Sequence, residues 1–212
     1  MDLARPMSVI TPTVDGDVLT SLALAEAWFT TGKLHRVIGR HSEDGIRRAL
    51  RRLVHQGIVE EQPGGNAVLY RLNRAHLASS AVIQLANLSH ALVARLRAEL
   101  LGWPVRPRFA ALFGSAARGV MSQDSDIDLF LVQPPHRPSR DEWDTSVWAL
   151  EAAASRWTGN DVRILHMTEV HVRDHASDEP VLSDIASEGV PLVGDPDWLR
   201  LVIRQSVPAE GR

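Results

Sequence analysis

Two aspartates stand at the start of an apolar, strand-like run, and this pattern constrains the second half of the chain most strongly. Asp126 and Asp128 are separated by one isoleucine, and the run continues to Val132. Side chains of a strand alternate between its two faces, so both carboxylates project from the same face. Burying like charges side by side is costly unless a cation neutralises them. Oxygen ligands on a rigid backbone suit Mg²⁺, which normally completes its shell with water and phosphate.

A Gly-Ser turn precedes this pair, with ten residues between Ser115 and Asp126. The apolar run 109–113 predicts a buried strand, and Gly114 allows a tight turn into a helix that begins near Ala116. Such a turn leaves backbone N–H groups and a serine hydroxyl available to an anion. Arg118 lies about one helical turn after Ser115. Two interpretations are open for it: a contact with a phosphate, or an ordinary surface arginine. A phosphate-holding turn beside a metal-holding strand predicts phosphoryl or nucleotidyl transfer.

Together the two motifs resemble the signature of the polymerase-beta-like nucleotidyltransferase superfamily, in its minimal (MNT-type) branch, over roughly residues 106–194. The resemblance implies a small mixed sheet flanked by helices. It implies that Gly114 and Ser115 hold the triphosphate of an NTP, with Arg118 as a further nucleotide-binding candidate, and that Asp126 and Asp128 hold Mg²⁺ (or Mn²⁺). The implied reaction moves NMP, with AMP from ATP as the first candidate, to a hydroxyl group of a protein or small molecule.

A third carboxylate of that family is expected on a later strand, and the matching run here begins at Asp161. Asp161 therefore completes the predicted catalytic and metal-binding set with Asp126 and Asp128. Arg163 follows two residues later. If the register of this strand places Arg163, and not Asp161, beside the acidic pair, a second metal ion loses a ligand. Two interpretations stay open: an active Mg²⁺-dependent nucleotidyltransferase, and a DNA-binding regulator whose transferase-like domain is an inactive nucleotide sensor.

The first half of the chain has a different charge balance. Residues 1–105 carry 12 Lys and Arg against 9 Asp and Glu, whereas residues 106–212 carry 11 against 17. Most of the positive excess lies between Lys33 and Gln56, where seven basic side chains face two acidic ones. A local field of this kind attracts a polyanion.

The basic segment predicts a helix from Ser42, its N-cap, to about Gln56. Four arginines fall on one face of this helix, opposite an apolar face: Arg47, Arg48, Arg51 and Arg52. Two helical segments, near 18–28 and 34–38, precede it. A hairpin with its turn near 62–66 follows it.

This order resembles a winged helix-turn-helix domain of the bacterial regulator kind. The resemblance implies that the basic helix lies in the major groove of double-stranded DNA, with Ser42 and the four arginines at the interface. The alternative is that the arginines merely solvate one helix face.

We therefore predict a mixed α/β chain of three segments: a winged helix-turn-helix DNA-binding domain at 1–75, a linker helix at 76–105 and a nucleotidyltransferase domain at 106–212. A leucine stripe in the linker packs on the chain's own domains or forms a coiled coil. Palindromic DNA sites favour two-fold proteins, so we expect a homodimer. By analogy with the family, this protein could act as an antitoxin that modifies a partner protein. Without a membrane-length apolar run or a secretory signal, the protein is expected in the cytoplasm and away from membranes.

Overall fold

The computed structural model describes residues 1–135 and 140–206. The chain forms two compact units: an N-terminal unit, Ala4–His90 with Asp2, and a C-terminal unit, Ala91–Arg212 with Met1 and Leu3. Both combine helices with a small sheet, as the sequence predicted for a mixed α/β chain. Within the described ranges, no helix has the length and apolar character needed to cross a membrane.

Helices dominate the N-terminal unit, and a three-stranded antiparallel sheet of order β1-β3-β2 completes it. After a short 3₁₀ turn (Pro6–Val9), its elements in chain order are α1 (Val14–Ala23), β1 (Phe29–Thr30), α2 (Thr31–Ile38), α3 (Glu43–His55), β2 (Val59–Gly64), β3 (Ala67–Leu72) and α4 (Ser79–Ala86). The core of this unit includes fully buried side chains from α1, α2 and α3, namely Leu22, Leu34, Ile46 and Leu50.

Side-chain caps fix where α2 and α3 begin. The Thr30 hydroxyl accepts a hydrogen bond from the backbone N–H of Lys33, and the Ser42 hydroxyl accepts one from Gly45. Each cap satisfies an N–H group that the first helical turn leaves without a partner. The basic helix predicted from Ser42 to about Gln56 agrees closely with the observed α3.

Three details of the N-terminal unit differ from the sequence prediction. The first helix begins at Val14 and ends at Ala23, so it does not reach Trp28. Residues 31–32, expected to break a helix, open α2 instead, because the Thr30 cap lies directly before them. The hairpin turn has two residues, with Gly65 at a φ of 65°, so the strands extend further toward the tip than predicted.

The linker helix predicted at 76–105 consists of two helices, α4 and α5 (Leu88–Leu101). Asn87 separates them with non-helical dihedral angles, and its side-chain amide donates a 2.7 Å hydrogen bond to the carbonyl of Ile83. A side-chain amide bonded to the preceding turn competes with continuation of the helix, which is why one apolar stripe does not give one helix here.

In the C-terminal unit a four-stranded mixed sheet has the order β6-β5-β4-β7. Strands β5 and β6 are parallel, whereas β4 is antiparallel to both β5 and β7. After α5, the elements are β4 (Phe109–Phe113), α6 (Gly114–Ala117), β5 (Ile127–Gln133), α7 (Arg140–Thr158), β6 (Val162–Thr168), α8 (Glu169–His175), α9 (Pro180–Glu188), β7 (Val190–Val193) and α10 (Pro196–Ser206).

The central strands β4 and β5 are buried on both faces. Leu129 and Leu131 face a cluster that includes Leu96 and Trp143, whereas Phe130 faces a cluster formed with α8, α9 and α10. Burial on both faces explains the near-continuous apolar runs that made these strands predictable. Asp128 shares its face with Phe130, so the acidic pair lies at the edge of the second cluster.

Candidate functional site

The acidic pair lies at the start of β5, next to two other strands. Asp128 is the second residue of β5, opposite Phe113 of β4 and Arg163 of β6. Asp126 comes two residues earlier, so it projects from the same face as Asp128. Both side chains are half-buried. The structure therefore brings the two predicted carboxylates together, as the period of the strand requires.

The electrostatics of this pair favour a cation. Burial raises the pKa of Asp128, and the negative charge of Asp126 raises it further. The guanidinium groups of Arg163 and Arg118 lower the pKa of Asp128 but do not cancel the rise. A half-buried carboxylate whose charged form is disfavoured by burial and by a neighbouring carboxylate is stabilised by a nearby positive ion.

Gly114 lies directly against the Asp128 carboxylate. Its φ of 68° is in the left-handed region, and a Cβ at this position would overlap the Asp128 Oδ2 atom. Only glycine gives both the backbone conformation and the close approach. The spacing between the Gly-Ser motif and the acidic pair therefore corresponds to a direct contact in the fold.

Ser115 and Arg118 lie in and after α6, a helix of four residues. The backbone carbonyl of Ser115 accepts a hydrogen bond from Val120 at 3.1 Å, which closes the loop after α6. Arg118 forms an ion pair with Glu188, the last residue of α9, at 3.2 Å. Glu188 was not predicted from the sequence, because no local pattern signals an acidic partner that lies 70 residues from the arginine.

Asp161 is placed differently from the acidic pair. It precedes β6, its side chain is exposed, and its backbone carbonyl accepts a hydrogen bond from Ile127 at 2.8 Å. Among the described residues, no group of three or more His, Asp or Glu side chains is clustered closely enough to hold a metal ion. The structure thus brings Asp126 and Asp128 together but does not add the Asp161 side chain to them.

The place beside Asp128 on β6 is taken by Arg163. Its guanidinium Nη2 lies 2.9 Å from Oδ2 of Asp126, and its side chain is 71% exposed. The parallel register of β5 and β6 causes this arrangement, because it pairs Asp128 with Arg163. A basic side chain therefore stands beside Asp128 on β6, two residues after Asp161, which the resemblance to the family implied as the third acid.

The basic face of α3 divides into two pairs of arginines. Arg47 forms ion pairs with Glu43 at 3.0 Å and Asp44 at 2.7 Å, and Arg52 forms one with Asp15 at 2.7 Å. All four side chains are exposed, but Arg48 and Arg51 differ from the other two in their contacts. Neither has a hydrogen bond or salt bridge to any residue that the structure describes.

A family model matches part of the C-terminal unit. Residues 96–188 match the family model described as a nucleotidyltransferase domain. No curated protein matches the chain. Among solved structures, the chain is similar to a toxin–antitoxin complex with AMP-PNP, at 17% identity over 55% of this chain and 82% of that one, with a TM-score of 0.38.

Two further structures have lower scores. A mutant of the toxin–antitoxin pair MntA–HpeT is 15% identical over 56% of this chain and 83% of that one, with a TM-score of 0.37. TrmBL2, an archaeal chromatin protein described with a novel mode of DNA binding, is 14% identical over 83% of this chain and 72% of that one, with a TM-score of 0.27. The match to the nucleotidyltransferase family model is confined to residues 96–188, which are less than half of the chain.

Proposed function

We propose that the C-terminal unit is a nucleotidyltransferase that uses a divalent metal ion to move NMP from an NTP, with ATP as the first candidate, to a hydroxyl group of a protein or small molecule. The observation that carries the proposal is the contact between Gly114 and the Asp128 carboxylate, with Asp126 on the same face. It joins the two halves of the motif in one place, which is what positioning a nucleotide beside a metal requires.

Asp126 and Asp128 fit one Mg²⁺ or Mn²⁺ ion, because both offer carboxylate oxygens from one end of a rigid strand. The ion would neutralise the triphosphate and activate the acceptor hydroxyl. Ser115 would contact the phosphates. Arg118 would also reach them by giving up its ion pair with Glu188. The sequence predicted Asp161 as a third ligand, but the described residues include no cluster of three such side chains, and the proposal does not use Asp161.

The proposal is tested by incubating the protein with Mg²⁺, α-labelled ATP, and a cell extract or simple polyols as acceptors. We expect label transfer and pyrophosphate release from the wild type, and loss of both in Asp126→Asn and Asp128→Asn. Asp124→Asn is the matched control, since Asp124 is an exposed carboxylate in the preceding loop. Transfer that survives substitution of either member of the pair would contradict the assignment.

We also propose that the N-terminal unit binds double-stranded DNA through α3. Two exposed arginines on one helix face, Arg48 and Arg51, support this, together with the two-residue hairpin tip at 65–66. This arrangement suits a winged helix-turn-helix domain, in which arginines reach base edges and phosphates in the major groove. A homodimer on a palindromic site belongs to the same proposal.

Fluorescence anisotropy with a random-sequence duplex tests the DNA interface. Arg48→Ala and Arg51→Ala should each weaken binding, and each should reduce the slope of log affinity against log salt by about 1 if the arginine neutralises one phosphate. Arg47→Ala and Arg52→Ala serve as controls with smaller effects, because those side chains are already held in ion pairs. An equal loss of DNA affinity in all four variants would contradict the division of the arginines into an ion-paired pair and a DNA-binding pair.

A second candidate function is a DNA-binding regulator whose transferase-like domain senses a nucleotide without consuming it. The ion pair between Arg163 and Asp126 favours this candidate, because it removes an acidic side chain from the metal site. Nucleotide would then change DNA affinity while remaining intact. A shift of the anisotropy curve by ATP, with no pyrophosphate released for any acceptor, distinguishes this function from transfer.

A further inference from the structure

The position of Arg163 is fixed by the sheet and not by its own side chain. Parallel pairing of β5 with β6 places Arg163 beside Asp128, on the face that carries both carboxylates. Its guanidinium reaches Asp126 at 2.9 Å, yet most of the side chain remains in solvent. A charged group that is anchored by its backbone and mostly exposed at its tip can contact a ligand by exchanging its ion pair with Asp126, without leaving the strand.

The charges at this place limit how many metal ions it can hold. Two carboxylates and one guanidinium give a net charge of about −1, assuming all three are ionised. A second divalent ion would need further oxygen ligands, and the described residues provide no third carboxylate in the cluster. It would also lie close to a permanent positive charge that repels it.

A guanidinium group can replace part of what a second ion would do. It carries a positive charge at every accessible pH and presents N–H groups in a fork that matches phosphate oxygens. Bidentate contacts with phosphate are among the stronger charge-assisted hydrogen bonds. Arg163 is therefore suited to a nucleoside triphosphate held at the Asp126 and Asp128 carboxylates.

We propose that this site holds a single divalent ion on Asp126 and Asp128, and that Arg163 takes the place of a second ion by binding the triphosphate of the nucleotide. The inference rests on the proposed nucleotide site of the C-terminal unit. It assigns Arg163 as a substrate-binding residue for nucleoside triphosphates, whether or not transfer follows.

The test counts Mn²⁺ ions by electron paramagnetic resonance in the full chain saturated with a non-hydrolysable ATP analogue. The wild type should bind one Mn²⁺ per chain, and Arg163→Asp should bind two, because it supplies the missing carboxylate and removes the repelling charge. Arg163→Gln should keep one Mn²⁺ but bind the nucleotide at least about tenfold more weakly, the effect of removing one charge-assisted hydrogen bond. Arg106→Gln, at an exposed arginine before β4, is the control and should match the wild type.

Each contrary outcome has a definite meaning. Two Mn²⁺ ions in the wild type, one ion in a folded R163D variant, or unchanged nucleotide affinity in R163Q would overturn the role of Arg163. If R163D does not fold, the wild-type count and the R163Q affinity decide the question. A wild type that binds neither Mn²⁺ nor nucleotide would overturn the proposed function itself, and this inference with it.

Discussion

Asp17 gives the sharpest stability prediction, because three basic side chains surround one buried carboxylate in the N-terminal unit. Its side chain is 7% exposed and contacts Arg5, Arg40 and His41 at distances between 2.6 and 3.3 Å. Burial raises the pKa of Asp17, but hydrogen bonds from these partners outweigh it and lower the pKa from 3.8 to about 2. Arg40 and His41 lie just before α3, so this cluster connects α1 to the start of the basic helix.

The size and sign of the pH effect follow from that shift. Because the folded pKa is depressed, ionised Asp17 stabilises the unit fully above the unfolded value of 3.8 and progressively less as the pH falls toward 2. The shift corresponds to about 2 kcal/mol, of which about 1 kcal/mol is lost between pH 7 and pH 3. Asp17→Asn should cost about 2 kcal/mol at pH 7, since it removes the negative charge that the partly exposed guanidinium groups of Arg5 and Arg40 contact.

Urea unfolding at pH 7 and pH 3, followed by NMR of fluorinated tryptophan, measures this effect. Trp28 reports the N-terminal unit selectively, because the other five tryptophans all lie after residue 100. The difference in unfolding free energy between the wild type and D17N should shrink by about 1 kcal/mol at pH 3. Asp44→Asn, at a carboxylate that is 77% exposed, is the control. A D17N cost that is independent of pH would refute the role of the ionised carboxylate.

Three further substitutions test the site and the packing. Gly114→Ala should weaken Mn²⁺ binding, measured by calorimetry, because the added Cβ meets the Asp128 carboxylate. Gly119→Ala is the control, since Gly119 has a similar positive φ but no atom near the position of the added Cβ. Similar weakening of Mn²⁺ binding in both variants would mean that backbone strain, and not contact with Asp128, causes the effect. Leu129→Ala, at a fully buried position, should cost about 2–5 kcal/mol in urea unfolding, and a smaller cost would mean that the core collapses around the cavity. Ser42→Ala should cost about 1 kcal/mol through removal of the α3 cap, and no change would mean that water replaces it.

Much of the C-terminal unit could be predicted because its signals are local. The buried strands β4 and β5 appear as apolar runs, and the two-residue period alone places Asp126 and Asp128 on one face. The capped helix α3 is equally local, since Ser42 and the arginine spacing lie within one segment.

What could not be predicted depends on pairing between distant segments. The ion pair of Arg163 with Asp126 requires the register of β5 against β6, which no local pattern encodes. Asp17 looks like an ordinary acidic residue of a first helical turn, and its three partners come from segments on both sides of α1. The two-residue strand β1 is too short to give a periodic signal, and it exists only through its pairing with β3.

Calorimetric titration of the full chain with a non-hydrolysable ATP analogue, with and without Mg²⁺, tests the central assignment most directly. We predict nucleotide binding that requires Mg²⁺, is weakened at least about tenfold in Asp128→Asn, and is unchanged in Asp124→Asn. Binding that ignores Mg²⁺, or that D128N leaves intact, would contradict the assignment of the acidic pair as the metal site.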